Sequence, residues 1–272
     1  MATVNTKVLD RVREGLKRFQ PIVESARIRD VNESDTVVLL TGILSEVLGF
    51  DKYTEVTTEL SIRGTYCDLA IKIEGKLILL IEAKAVGIEL KEAHVKQAVD
   101  YAANQGIEWV VLTNAVSWRI YKVVFSKPIQ NILVCNVDFL SLRTKGTEDI
   151  ELFSILSKEA ILKSSLEDFY TQKQATNRFM LGNLLCEEAV LNAIRKELKG
   201  IFPDIKVTAD EIKDVLVSEV LKRELLDGDD AIDAKKKIAK AAKKKEKAKS
   251  EKANNNSSEE PSAEAGAGNE AE

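Results

Sequence analysis

Residues 66–84 read YCDLAIKIEGKLILLIEAK. Two apolar runs, 66–73 and 77–84, flank the turn candidate Glu74-Gly75-Lys76. Strand side chains alternate between the two faces of a sheet. In the first run Cys67, Leu69, Ile71 and Ile73 share one face, and Tyr66, Asp68, Ala70 and Lys72 share the other. In the second, Leu77, Leu79, Ile81 and Ala83 oppose Ile78, Leu80, Glu82 and Lys84. A two-residue turn would aim Asp68 and Glu82 at different faces, because a one-residue slip reverses every side chain. A three-residue loop with Gly75 in the left-handed region instead pairs Ile73 with Leu77, Ile71 with Leu79 and Leu69 with Ile81. It sets Asp68 opposite Glu82, with Lys84 one step beyond, and this is the register expected here.

Like charges facing each other across strands are destabilising, so such a pair makes sense with a divalent cation between the carboxylates. The alternative is a surface cluster of ion pairs. The aliphatic run 77–81 predicts a central strand buried on both faces, and charged residues at the end of such a strand seldom lack a task.

Outward from the hairpin, Val8, Val12, Leu16, Phe19 and Val23 recur at helical spacing over residues 4–27, with an interruption expected near Pro21. Asn32, Ser34 and Asp35 offer N-caps for a helix over 36–48 that stops at Gly49. Glu46 lies within its apolar pattern, either as an exposed helix glutamate or as an auxiliary ligand to a metal or a water. Residues 54–62 (TEVTTELSI) alternate as a strand, and Arg63-Gly64-Thr65 turns the chain into the hairpin. A helix is expected over 89–104, ending at Gln105-Gly106, with His94, Gln97 and Tyr101 along one face. Strands over 107–113 and 118–125 follow, with an edge strand over 131–137.

At these residues the sequence resembles the PD-(D/E)XK nuclease superfamily, and within it the N-terminal nuclease domain of type I restriction enzyme R subunits and its standalone bacterial relatives. The matching residues are Asp68, then Glu82-Ala83-Lys84 after a hairpin, then Gln97 and Tyr101 on the next helix, with Glu46 as the early acidic residue. Cys67 stands where the superfamily name has a proline. The resemblance covers residues 36–125. It implies a restriction-endonuclease-like α/β core with a mixed central sheet flanked by helices. It further implies a Mg²⁺- or Mn²⁺-dependent endonuclease hydrolysing DNA, with Asp68, Glu82 and Lys84 catalytic. Asp68, Glu82, the Ala83 carbonyl and Glu46 would bind metal, and Gln97 and Tyr101 would position the substrate. From the residues alone, the preferred reading of Gln97 and Tyr101 is a pair packed at the core's edge, capping a strand end. The alternatives to an enzyme are a catalytically silent nucleic-acid-binding module and a protein-interaction module on a nuclease fold.

The 272 residues are 44% hydrophobic, enough for a real core. No apolar run of about 18 residues exists, so no membrane span is expected. The first residues carry no signal-peptide core. Three scattered cysteines and one histidine exclude a structural zinc site, and a cytoplasmic location is expected. The net charge of −4 is unevenly spread: residues 235–252 hold ten lysines against Glu246 and Glu251. Five glutamates follow in 254–272, leaving residues 1–234 at −7. An acidic body speaks against tight nonspecific duplex binding by the globular part alone.

The expected organisation is a nuclease domain over 1–150, a helical module over 151–228 serving docking or homo-oligomerisation, and a disordered tail over 229–272. Within the module, Thr208-x-x-Glu211 is a capping box. The Lys-rich part of the tail reads as a solubilising segment or as a basic arm for nucleic acid.

Overall fold

The structure, a computed structural model, describes residues 5–62 and 65–256. The chain divides after Lys173 into two compact units. In the first, six strands among the described residues form one sheet: β1 (Val56–Ile62), β2 (Thr65–Ile73), β3 (Lys76–Ala83), β4 (Trp109–Thr113), β5 (Ser117–Val124) and β6 (Gln130–Asp138). They lie side by side in sequence order. Every neighbouring pair is antiparallel except β3 and β4, which run parallel. That single parallel step needs a crossover, supplied by α3 (Glu92–Gln105), which stops at Gly106 with φ +70°. The result is a mixed α/β sheet flanked by helices.

The central position of β3 follows from its composition, since Leu79, Leu80 and Ile81 are all buried. On one face Leu69, Ile71, Leu79, Ile81, Val111 and Ile120 join the main core. Helices α1 (Thr6–Ile28) and α2 (Glu33–Gly42) bring their apolar sides to that face, α2 continuing as a π-helical turn over Ile43–Val47. On the other face Ala70, Leu80, Val110 and Leu112 pack under Val95, Ala98, Val99 and Ala102 of α3.

Helix α1 runs through Pro21 without the expected interruption. The ring is exposed while Val8, Val12, Leu16, Phe19, Val23 and Ala26 are buried. Burying several such side chains, at about 1.5–3 kcal/mol each, outweighs the cost of about 3 kcal/mol for an interior proline.

The hairpin reaches the expected register by a different route. Glu74 (φ +52°) and Gly75 (φ +78°) form a two-residue turn with both central residues in the left-handed region, the type that matches strand twist. Pairing starts at Ile73–Lys76 and Lys72–Leu77, then jumps to Ile71–Leu79, so a bulge at Ile78 restores the lost residue. Beyond it Ala70 faces Leu80 and Leu69 faces Ile81. Asp68 and Glu82 therefore fall on the same face. Leu77 and Ile78 go to opposite cores as a consequence.

The first unit extends past residue 150. Helices α4 (Glu148–Ser154), α5 (Lys158–Leu162) and α6 (Ser165–Ala175) carry Ile150, Phe153, Leu166 and Phe169 into the main core. A boundary at 150 would have stripped this apolar surface from the sheet.

The second unit contains α7 (Arg178–Leu185), α8 (Glu188–Ile201), α9 (Ala209–Val215) and α10 (Asp229–Asn256). The capping box forms: Thr208 Oγ1 accepts from the Glu211 amide at 3.2 Å and Glu211 accepts from the Thr208 amide at 2.7 Å. The segment from residue 229, expected to be disordered, is helical to Asn256. Alanine and lysine favour helix, and Ala231, Ala234 and Ile238 are buried; α10 packs against α7. The turn at Arg63-Gly64 and the acidic stretch 257–272 lie outside the described residues.

Candidate active site

The β2–β3 ladder ends at Leu69–Ile81, which leaves the Ala83 amide without a backbone partner from β2. The Asp68 carboxylate takes it, accepting at 2.7 Å. On the other edge of β3, Ala83 is paired with Thr113, and the Lys84 amide donates to the Thr113 carbonyl at 2.9 Å. The backbone that carries Glu82, Ala83 and Lys84 is thus held from both sides.

The Lys84 ammonium sits among oxygens. It donates to the Ala83 carbonyl at 2.6 Å, to Glu82 at 2.8 Å and to Glu33 at 3.3 Å, and lies 4.0 Å from Asp68. The Glu82 side chain is 9% exposed, Lys84 20% and Asp68 26%. Burial raises the Glu82 pKa, and the charges of Asp68 and Glu33 add to that against the Lys84 hydrogen bond. Burial also raises Asp68, opposed by the Ala83 amide and by Lys84. Burial pulls Lys84 down, but the Glu82 bond and the charges of Glu82, Glu33 and Asp68 outweigh it and hold the ammonium above its usual range. Three carboxylates surround one ammonium, and of the four groups Asp68, Glu82 and Lys84 each retain a proton more tightly than they would in water.

Glu33 is the acid that the sequence did not reveal. Asn32 caps α2, accepting from the Asp35 amide at 2.9 Å, so the helix starts at Glu33 rather than at Thr36. The N-cap candidates around Asn32 were the available signal, but only the crossing of α2 over the end of β3 brings its first turn to Lys84. Glu46 does not join the cluster. It is exposed on the π-helical turn, ion-paired with Arg18, and lines a separate hollow with Thr41, Ser45 and Lys52.

Gln97 is exposed on α3, whereas Tyr101 is 5% exposed with its hydroxyl wholly covered. Tyr101 therefore packs in the second core, with its hydroxyl closed off from solvent. Cys67 lies in the same core rather than with Leu69. Its Sγ donates to the Leu69 and Ile81 carbonyls at 3.3 and 3.4 Å, lying along the ladder's end. Burial, reinforced by Glu82, pushes its thiol up to about 12. His94 accepts from the Lys91 amide at 3.2 Å and caps α3.

Among the described residues no three His, Cys, Asp or Glu side chains are gathered so as to hold a metal ion. The donors on offer are Asp68, Glu82 and the Ala83 carbonyl, all hard oxygens of the kind Mg²⁺ selects. They suit such a cation in kind, and the Lys84 ammonium takes the space they surround.

Residues 41–133 match the family model of the type I restriction enzyme R protein N terminus (HSDR_N). The sheet unit is similar to that nuclease-like domain. The matched residues run from the end of α2 into β6 and include Asp68, Glu82, Lys84, Gln97 and Tyr101, the positions that carry the resemblance in the sequence. Glu33 falls outside the match. A 90-residue segment, 32% of the chain, is 36% identical to the sugar fermentation stimulation protein homolog of Alkaliphilus metalliredigens (strain QYMF). It covers 38% of that relative's length. No solved structure matches significantly. No helix among the described residues is long and apolar enough to cross a membrane.

Proposed function

We propose that the first unit is a metal-dependent phosphodiesterase acting on DNA, with Asp68, Glu82 and Lys84 at its centre. The observation that carries this reading is the Lys84 ammonium gathered with three carboxylates at the end of the central strand, in a segment similar to a restriction-enzyme domain. Asp68, Glu82 and the Ala83 carbonyl would hold Mg²⁺ or Mn²⁺. That ion would supply an activated water and a counter-charge for the phosphoryl oxygens. Lys84 is charged at neutral pH because its pKa is raised, and its ammonium would donate to a phosphoryl oxygen as negative charge develops there. Glu33 would restrain Lys84 from the second side.

A second reading, nucleic-acid binding without turnover, is favoured by the Lys84 ammonium standing between Asp68, Glu82 and the Ala83 carbonyl, where a metal ion would have to sit.

The test is a panel of labelled single-stranded and duplex DNAs incubated with Mg²⁺ or Mn²⁺, using wild type, Asp68→Asn and Lys84→Ala. The expected result is cleavage by wild type alone, with Mg²⁺ raising the melting temperature of wild type but not of Asp68→Asn. Cleavage undiminished in both variants overturns the assignment. Absence of cleavage together with absence of any metal-induced shift supports the binding module instead.

A further inference from the structure

Helix α10 presents an unbalanced row of charge. From Ala234 to Lys245 its sequence is AKKKIAKAAKKK, without one acidic residue. Ala231, Ala234 and Ile238 are buried, and at 3.6 residues per turn Lys236, Lys240 and Lys243 fall on the opposite side, with Lys247 continuing the same line. All four are exposed. Lys235 and Lys237 are engaged within the unit, donating to the Leu226 carbonyl at 2.8 Å and to Gln174 at 3.4 Å, and Lys236 keeps a solvent-exposed ion pair with Asp233 at 3.7 Å that a phosphate would have to compete with. Lys240, Lys243 and Lys244 make no ion pair or hydrogen bond among the described residues. At 1.5 Å per residue the row from Lys236 to Lys247 spans about 16 Å, long enough to run beside several phosphates spaced about 3.4 Å apart along one strand.

We infer that this face of α10 is a docking surface for the phosphate backbone of nucleic acid. The apolar side of the helix is already packed, so the lysines project from an anchored element. An anionic membrane fits less well. Amphipathic helices that lie in lipid insert bulky apolar or aromatic groups, whereas the helix beyond Ile238 offers only alanine. Lysines four apart, such as Lys236 with Lys240 and Lys240 with Lys244, repel each other by about 0.2–0.5 kcal/mol per pair. A bound polyanion relieves that repulsion, so binding should also stabilise the helix. The choice of nucleic acid over an acidic protein rests on the reading of the first unit as nuclease-like. The face itself does not depend on catalysis.

The experiment is a titration of the full chain against labelled duplex and single-stranded DNA between about 50 and 200 mM salt. It compares wild type with Lys236→Gln/Lys240→Gln/Lys243→Gln and with the arginine counterpart at the same three positions. The glutamine triple should bind at least tenfold more weakly at the lower salt. Its slope of log affinity against log salt should be shallower by about 2–3 for duplex, since each neutralised phosphate contributes about 0.9. The arginine triple should bind as wild type and the glutamine triple should keep the wild-type melting temperature, and binding is read in EDTA so that the result does not depend on whether wild type cleaves DNA. Unchanged affinity and slope in the glutamine triple overturn the inference. So does equal wild-type affinity for polyglutamate or for phosphatidylserine vesicles, which would assign the face to another polyanion.

Discussion

Lys84 and Lys122 are both largely buried ammonium groups of one sheet, beside opposite ends of β4 and each hydrogen-bonded to two carboxylates, and their surroundings differ. Lys122 on β5 is bonded to Glu108 at 2.7 Å and to Glu167. Its ammonium lies 4.7 Å from the Trp109 ring centroid and 5.9 Å from that of Tyr170. Aromatic faces close over the charge and contribute cation–π attraction. Its two acids are about half exposed, at 52% and 45%, and keep their hydration. Lys84 has no aromatic cover. It answers to three acids, and Glu82, the one it holds most closely, is nearly out of contact with water. A capped, wetted cluster is content as it stands; an uncapped one with surplus negative charge has capacity for a further cation. Burial of a lysine is common to both, and what distinguishes the two clusters is where the lysine's partners get their solvation.

The largest expected difference between the two lysines is in turnover. Lys84→Ala should lower DNA hydrolysis by about 10²–10³ or more, the scale of losing one donor to a developing anion. Lys122→Ala should leave the rate per folded molecule unchanged. Equal losses in a single-turnover assay would erase the distinction.

Next comes stability, where the less buried lysine should matter more. Lys84→Met strands Glu82 as a desolvated charge and should cost about 2–3 kcal/mol at pH 7. In Lys122→Met the acids can turn to water while the methionine stem keeps the packing, at a cost of about 1 kcal/mol. Urea unfolding with unchanged m-values checks both. The Lys84→Met penalty should shrink as the pH falls toward 5, because a protonated Glu82 no longer needs a counter-charge.

A smaller effect follows from the sign of the carboxylate shifts. Asp68 and Glu82 have folded pKa values above their usual range. Their contribution to stability is therefore present in acid and lost as the pH rises through the folded values. Asp68→Asn keeps an oxygen for the Ala83 amide and removes the charge. In the metal-free protein it should raise the melting temperature by a few degrees at pH 7.5, equivalent to about 1 kcal/mol, with less gain at pH 5. A loss of stability at pH 7.5 would show that Asp68 is worth more to the fold as an anion.

The smallest contrast is between two glutamates. Glu33→Gln should lower hydrolysis by about tenfold or less through Lys84 positioning. Glu46→Gln, paired with Arg18 away from the cluster, should leave it unchanged. The reverse order would reinstate Glu46.

Much of this was legible in the residues. Alternation and the aliphatic run placed β2 and β3, and the positions of Asp68, Glu82 and Lys84 on one face required only a register. The register itself was anticipated for the wrong reason: local turn chemistry selected the two-residue turn, and a bulge, which has no local signature in KLIL, corrected the slip. Glu46 stands apart with Arg18 while Glu33 pairs with Lys84, because helix phase and helix crossing depend on the partner surface. Gln97 and Tyr101 share a helix side in projection, yet their exposures diverge because α3 lies close enough to the sheet to bury only Tyr101.

Period-two and helical patterns, cap residues and the charged ending of a buried strand are properties of short stretches, so the sequence by itself determined the elements, their order and the acids and lysine at the end of β3. Which acid completes the cluster, where the first unit ends and why α10 is helical depend on surfaces brought together from distant parts of each unit. Burial and the partners available inside it are set by packing, and only the tertiary structure decided them.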